Sequence, residues 1–286
     1  MRLGPTKVRA MIAAGALLAG LVAAGPAVAE GATHRGLSLG SDVASVTVSP
    51  VPCAKQTFEL RFGNTGKTAV YADAFITAPA PLTVSRQIVS SYLPPGYTLK
   101  VPVDVTAPKG AAPGKYTVQV TAGDQKLSLP VEIGPPPVDT TGNLARYVPV
   151  TASTEHVPVY PACGAVDGDH DQEHWGISTG WNDASKGTFP DWLQVTFDKP
   201  EQVGRAELYT LDSKKYPAAG YGLKDWDVQA QVGGSWQTVA EVRDNKAGLT
   251  STTFTPVTAT AVRILCLASN EGLTYSRIVE LELYAS

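Results

Sequence analysis

Asp167-Gly168-Asp169 offers the most distinctive chemistry in this chain of 286 residues. Hard cations such as calcium take several oxygen ligands, and a tight Asp-Gly-Asp turn gathers carboxylates and carbonyls in one small volume. A solvated acidic turn without metal is the alternative reading. A second kind of chemistry is spread over three loops. Sugars are held by aromatic faces against their C–H patches and by charged or amide side chains at their hydroxyls. Residues of these types stand at Glu155 and His156, along Tyr209–Tyr216 with Asp212, Lys214 and Tyr216, and along Asn270–Arg277 with Asn270, Tyr275 and Arg277. Trp192, Trp226 and Trp236 are expected in the core or in turns, and Trp181-Asn182-Asp183 as a brace for its own loop.

Patterns that would signal catalysis fail on context. Gly176-Ile177-Ser178-Thr179-Gly180 satisfies the spacing of a hydrolase nucleophile, yet that motif needs a strand, a sharp turn and a following helix. His170 and His174 have the spacing of two metal ligands on one helix face, but the stretch is loop-like and lacks the accompanying glutamate. Gly66-Lys67-Thr68 ends like a phosphate-binding loop, whereas the required earlier glycine is Arg61 and no helical pattern follows. A hairpin turn is expected there instead.

The N-terminus indicates where the protein works. Arg2, Lys7 and Arg9 precede an apolar run from Met11 to Ala24, and Ala27-Val28-Ala29 supplies small residues for cleavage, so residues 1–29 read as a signal peptide. The run is shorter than the roughly 20 residues that span a bilayer, and Gly15, Gly20 and Gly25 interrupt it. A secreted, extracellular protein without a transmembrane anchor is therefore expected. Loss of three positive charges and no carboxylate takes the formal charge of −3 to −6. That balance argues against nucleic-acid binding and weakens attraction to anionic membranes. Three cysteines in an oxidising compartment leave at least one thiol free or bridged between molecules. Cys163 and Cys266 share a domain and are the expected pair. The other reading buries Cys266 as a small hydrophobe within Val262–Leu267.

The Pro-rich stretch 134–142 reads as a semi-rigid linker holding two domains at some distance, because consecutive prolines cannot donate to a sheet. In residues 30–133, Phe58, Leu60 and Phe62 alternate with polar residues, as do Leu99–Val105, Tyr116–Val120 and Leu127–Ile133. Period two between turns predicts an antiparallel, immunoglobulin-like β-sandwich. In residues 143–286, Leu193, Val195 and Phe197, then Trp226, Val228 and Ala230, then Val262, Ile264 and Cys266, and finally Val279, Leu281 and Leu283 predict a second β-sandwich. The fold class is all-β.

Several stretches of the second half resemble, in order, a discoidin-like domain of the F5/8 type C or family 32 carbohydrate-binding kind. They are Ala165–Asp169, Asp191–Phe197, Asp225–Val228 with Ser235-Trp236, and Ser276–Tyr284. The resemblance implies an eight-stranded jelly roll with adjacent termini, and a structural calcium between Asp167, Asp169 and Glu280. It also implies a sugar-stacking aromatic before the last strand, where Tyr275 stands. The chain departs from the family where a ligating threonine often follows the acidic turn; here Asp171-Gln172-Glu173-His174 carries an extra residue before Trp175. The first half resembles the NEW3 domain of bacterial α-galactosidases through Asn64-Thr65-Gly66, Pro95-Gly96 and Ala112–Tyr116, and reads as a spacer. The expected function is non-catalytic attachment to a polysaccharide or other glycan, one containing galactose. The alternatives are a protein- or lipid-surface interaction module, suggested by Lys214, Lys215 and Lys224, or an ancillary subunit of a glycoside hydrolase.

Overall fold

A computed structural model describes residues 36–177, 179–270 and 274–286; the expected signal peptide and Ser178 lie outside them. Among the described residues, no helix is long and apolar enough to cross a membrane.

Nine strands build the first sandwich: β1 (Leu37–Ser41), β2 (Val46–Val48), β3 (Gln56–Asn64), β4 (Val70–Thr77), β5 (Thr83–Val84), β6 (Ile88–Leu93), β7 (Thr98–Thr106), β8 (Gly114–Ala122) and β9 (Gln125–Ile133). One sheet has the order β1-β3-β7-β5 and the other β2-β9-β8-β4-β6. All pairings are antiparallel except β2 with β9. Alternation places Phe58, Leu60, Phe62, Val103, Val118, Val120 and Val131 in one buried cluster, as period two requires. The turn after β3 is not the expected hairpin, because β3 and β4 belong to different sheets. Buried Asn64 holds this crossing: its amide donates to the Thr68 and Leu93 carbonyls, and its Oδ1 accepts the Gly66 N–H.

The second sandwich contains β10 (Val150–Ala152), β11 (Trp181–Asn182), β12 (Asp191–Thr210), β13 (Leu223–Val232), β14 (Ser235–Val242), β15 (Leu249–Ser269) and β16 (Arg277–Tyr284), with one short helix, α1 (Ala218–Tyr221). The ladder runs β11-β16-β12-β15-β13-β14, and β10 adds to β12. Two very long strands, β12 and β15, let one sheet wrap a single core. In β12 the buried positions are odd from Asp191 to Phe197 and even from Ala206 to Thr210. The switch follows a register shift between Val203 and Arg205, and a one-residue slip exchanges the two faces of a strand. Buried Asn143 joins the start of the domain to its end, since its Oδ1 accepts N–H groups of Ala145 and Leu283.

The two sandwiches touch, contrary to the expected separation. Cys53 is bonded to Cys163, with Cα atoms 5.4 Å apart, and Lys109 pairs with Asp198 across the junction. The expected Cys163–Cys266 bond is thereby corrected. Cys266 is a free, fully buried thiol on β15, opposite Asp191 and Trp226, and burial pushes its pKa up. Its Sγ donates weakly to the Ile264 carbonyl at 4.0 Å, and the side chain otherwise packs as a small hydrophobe.

Candidate ligand pocket and oxygen cradle

The acidic turn and the start of β16 meet around Thr179. Its buried hydroxyl lies 2.8 Å from the Gly164 carbonyl, 3.0 Å from that of Asp169, 3.2 Å from Asp167 Oδ1 and 3.5 Å from the Val279 carbonyl. One hydroxyl hydrogen can serve only one of these oxygens at a time. Glu280 completes the cradle from a fully buried position: its Oε1 accepts the Gly168 N–H at 3.0 Å, and its Oε2 is buried without a hydrogen-bond partner. Burial, reinforced by the Asp167 carboxylate, pushes the Glu280 carboxyl up to about 9. Asp167 is exposed as a residue, yet its inward Oδ1 shares the cradle, and burial pushes its carboxyl up to about 6 against lowering hydrogen bonds from the Asp169 N–H and Thr179. An orphaned buried carboxylate oxygen is costly unless a proton or cation meets it.

Gly168 closes this turn at φ +85, and a side chain there would collide with the Arg146 guanidinium stacked over it. The positive φ is what favours glycine here, since the guanidinium is the end of a flexible side chain that can swing aside. From the cradle, a strap of side-chain-to-backbone bonds runs toward the neighbouring loops. The N–H groups of Asp169, Asp171 and Glu173 donate to Asp167, Asp169 and Asp171 in turn, at 2.8, 3.0 and 3.0 Å. Gln172 and Glu173 then accept the backbone N–H groups of Asp212 and Lys214, both at 2.9 Å. The cradle is thus mechanically continuous with the 211–216 loop.

That loop forms one wall of an open cavity of about 240 Å³. His156, Tyr160 and Trp175 form another wall, with Tyr160 and Trp175 stacked at 4.8 Å. Gly180 permits this, because a Cβ there would enter the Trp175 ring. Tyr216 and Tyr221 meet edge to face at 5.1 Å, and Arg277 lies 5.3 Å over the Tyr275 ring while donating to the Tyr221 carbonyl. Asn182 and Leu211 complete the lining, which contains aromatic faces and polar tips but no carboxylate.

Sequence comparison agrees with this architecture. Residues 149–281 match the F5/8 type C domain, and residues 52–124 match the NPCBM-associated, NEW3 domain of alpha-galactosidase. The second sandwich is an F5/8 type C domain. Similar solved structures include chitosan-binding module 1 of a chitosanase/glucanase from Paenibacillus sp. IK-5, with 26% identity, covering 50% of this chain and 98% of that one at a TM-score of 0.40. The family 32 module of Clostridium perfringens NanJ, solved with galactose, has 23% identity, covering 48% of this chain and 92% of that one at 0.39. The family 32 module of Streptococcus pneumoniae EndoD has 22% identity, covering 50% and 99% at 0.41. No curated protein matched the chain.

Within the F5/8 type C domain, the expected ligand residues divide. His156, Tyr216, Tyr275 and Arg277 line the cavity. Glu155 instead accepts the Ala162 N–H, and Asp212 accepts that of Ala218. Asn270 donates to the Ala218 and Asn245 carbonyls, so it ties loops together; Lys214 meets the strap through its backbone. Tyr160, Trp175, Asn182, Leu211 and Tyr221 were not among the expected ligand residues. Leu211 falls within the expected Tyr209–Tyr216 loop and Asn182 within the expected brace, whereas Tyr160, Trp175 and Tyr221 stand in separate segments with no shared sequence signal. At the cradle, Asp169 differs from expectation: its carboxylate turns to His174 Nδ1 at 2.7 Å, and its carbonyl faces Thr179. Accordingly, among the described residues no three His, Cys, Asp or Glu side chains converge as a metal group. His170 stacks on Tyr209 at 4.9 Å, so the two histidines face different partners.

Proposed function

We propose that this chain is a secreted, non-catalytic carbohydrate-binding protein whose F5/8 type C domain holds a galactose-containing glycan in the cavity between His156, Trp175 and Tyr275. The observation that carries this reading is the lining itself. Aromatic faces suit the C–H patches of a pyranose, and His156, Asn182 and Arg277 suit its hydroxyls. Glycoside hydrolysis ordinarily uses two carboxylates flanking the bond, and the cavity wall supplies neither.

Calcium is proposed for the cradle, and the residues present fit it. Asp167 Oδ1, the Thr179 hydroxyl, the Glu280 carboxylate and the carbonyls of Gly164, Asp169 and Val279 form an all-oxygen donor set with an orphaned buried acid. A bound divalent cation would neutralise the two acids. The chain's own residues carry the effect outward, because the strap from Asp167 to Glu173 hangs the 211–216 loop from the same turn.

Calorimetry with galactose and with chitosan oligosaccharides tests the pocket. Single-site affinities of this kind are on the order of millimolar, or about 4 kcal/mol, so loss of one stacking ring removes much of the total. Tyr275→Ala is expected to erase detectable binding with the fold intact, and His156→Ala to weaken it less. Unchanged affinity in Tyr275→Ala would remove this cavity as the site. Secretion is tested separately: the intact mass of the exported chain should begin at Glu30, and full-length chain recovered from membranes would contradict cleavage.

A further inference from the structure

The first sandwich bears an aromatic face that a mere spacer does not need. Strands β4 and β6 pair at one edge of the five-stranded sheet, with Tyr71 opposite Tyr92, Asp73 opposite Ser90 and Phe75 opposite Ile88. The alternate residues Ala72, Ala74, Ile76, Val89 and Leu93 fill the core, so these three rungs project outward together. Tyr71 is 78% exposed, Phe75 51%, Tyr92 50% and Ile88 49%. Tyr71 and Tyr92 contact each other at 4.9 Å between centroids. Contiguous exposed apolar surface of this kind marks a place where something binds.

The pattern along the face identifies the chemistry. Two apolar rungs lie four residues apart, about 13 Å on a strand, with a polar rung between them. Beyond Phe75, β8 contributes Thr121 beside it and Gln119 opposite Thr77, and a groove of about 460 Å³ continues past Thr77, Thr83 and Gln87. Asp73 is the only Asp, Glu, Lys or Arg among the outward residues of β4 and β6. A charged partner would find almost nothing to pair with. A neutral chain with flat C–H faces would find rings on the two apolar rungs, the Ser90 hydroxyl between them, and the Thr121 hydroxyl and Gln119 amide beyond Phe75.

We propose that this face is a second carbohydrate-binding surface, which takes the side of a neutral linear polysaccharide and is independent of the cavity in the other sandwich. The strip is exposed along the sheet edge, so it suits a chain lying along it.

The test uses the full chain carrying Tyr275→Ala, so that cavity binding does not contribute, in pull-down on cellulose, chitin, curdlan and mannan. Retention on at least one of these is expected. Adding Tyr71→Ser with Tyr92→Ser should reduce it about tenfold or more. Phe75→Ser alone provides a second variant, and unchanged circular dichroism and melting temperature confirm that each folds. No retention of the Tyr275→Ala chain on any of the four polymers overturns the proposal, as does equal retention after the tyrosines are replaced. Concentration-dependent dimers that disappear with the same substitutions, in a chain that binds none of the polymers, would assign the face to a second copy. Failure of calorimetry at the cavity would leave this outcome untouched, so the two readings fail separately.

Discussion

Chelation of bound calcium is expected to lower the melting temperature of the F5/8 type C domain by about 10 °C. A ligand bound only to the native state at 100 times its dissociation constant contributes about 2.7 kcal/mol. For a domain of this size, each kcal/mol moves the midpoint by about 4 °C. The effect is assigned to the cradle because Glu280 is fully buried with one carboxylate oxygen unpartnered, a state that a cation relieves. Asp167→Ala should abolish the difference between calcium-loaded and chelated protein, since it removes the Oδ1 beside Thr179. Glu280→Gln keeps the volume and the acceptor for the Gly168 N–H, and should raise the stability of the metal-free form while removing most of the calcium response. Identical melting curves for rigorously metal-free protein with and without excess calcium would show that protonation, with Arg146 alongside, is how the cradle is satisfied.

Replacing Cys53 or Cys163 by serine is expected to cost roughly 3–5 kcal/mol in denaturant unfolding of the oxidised chain. The bridge joins residues 110 apart, and closure of a loop of that length restricts the unfolded chain by about that amount. The consequence extends beyond stability. Cys163 lies in the single turn Ala162–Ala165, whose Gly164 carbonyl faces Thr179 and whose first N–H is held by Glu155, next to His156 in the cavity wall. The bond therefore secures the segment between cradle and pocket to the other sandwich. Paired urea curves of wild-type and Cys53→Ser protein check this. Superimposable curves would mean that each sandwich stands on its own core and that the bridge constrains neither.

Alternation made the cores legible in the sequence. Phe58, Leu60 and Phe62 in one sandwich, and Leu193, Val195, Ile264 and Leu281 in the other, are buried where period two places them. Order of motifs made the domain families legible as well. The sites were less so, for physical reasons. Half of the cradle consists of backbone carbonyls at Gly164, Asp169 and Val279, and a carbonyl leaves no mark on residue type. Thr179 stands ten residues beyond Asp169, farther than the few residues at which the family resemblance places a ligating threonine. Tyr160, Trp175 and Tyr221 reach the cavity from three non-periodic segments, so no repeat could reveal their convergence. Sharing a domain does not bring Cys163 and Cys266 together. The two sandwiches in fact meet at Cys53 and Cys163, whereas Cys266 lies on a strand in the interior.

The central claim, that the cavity of the F5/8 type C domain holds a glycan, is tested most directly on a broad glycan array. Calcium-loaded full chain would be probed beside a variant carrying Tyr275→Ala and Trp175→Ala. The account predicts signal on galactose-containing glycans for the natural chain and loss of that signal in the variant. No glycan signal from the natural chain, together with its retention by lipid vesicles or by a protein partner, would contradict the claim and make this an interaction module of another kind.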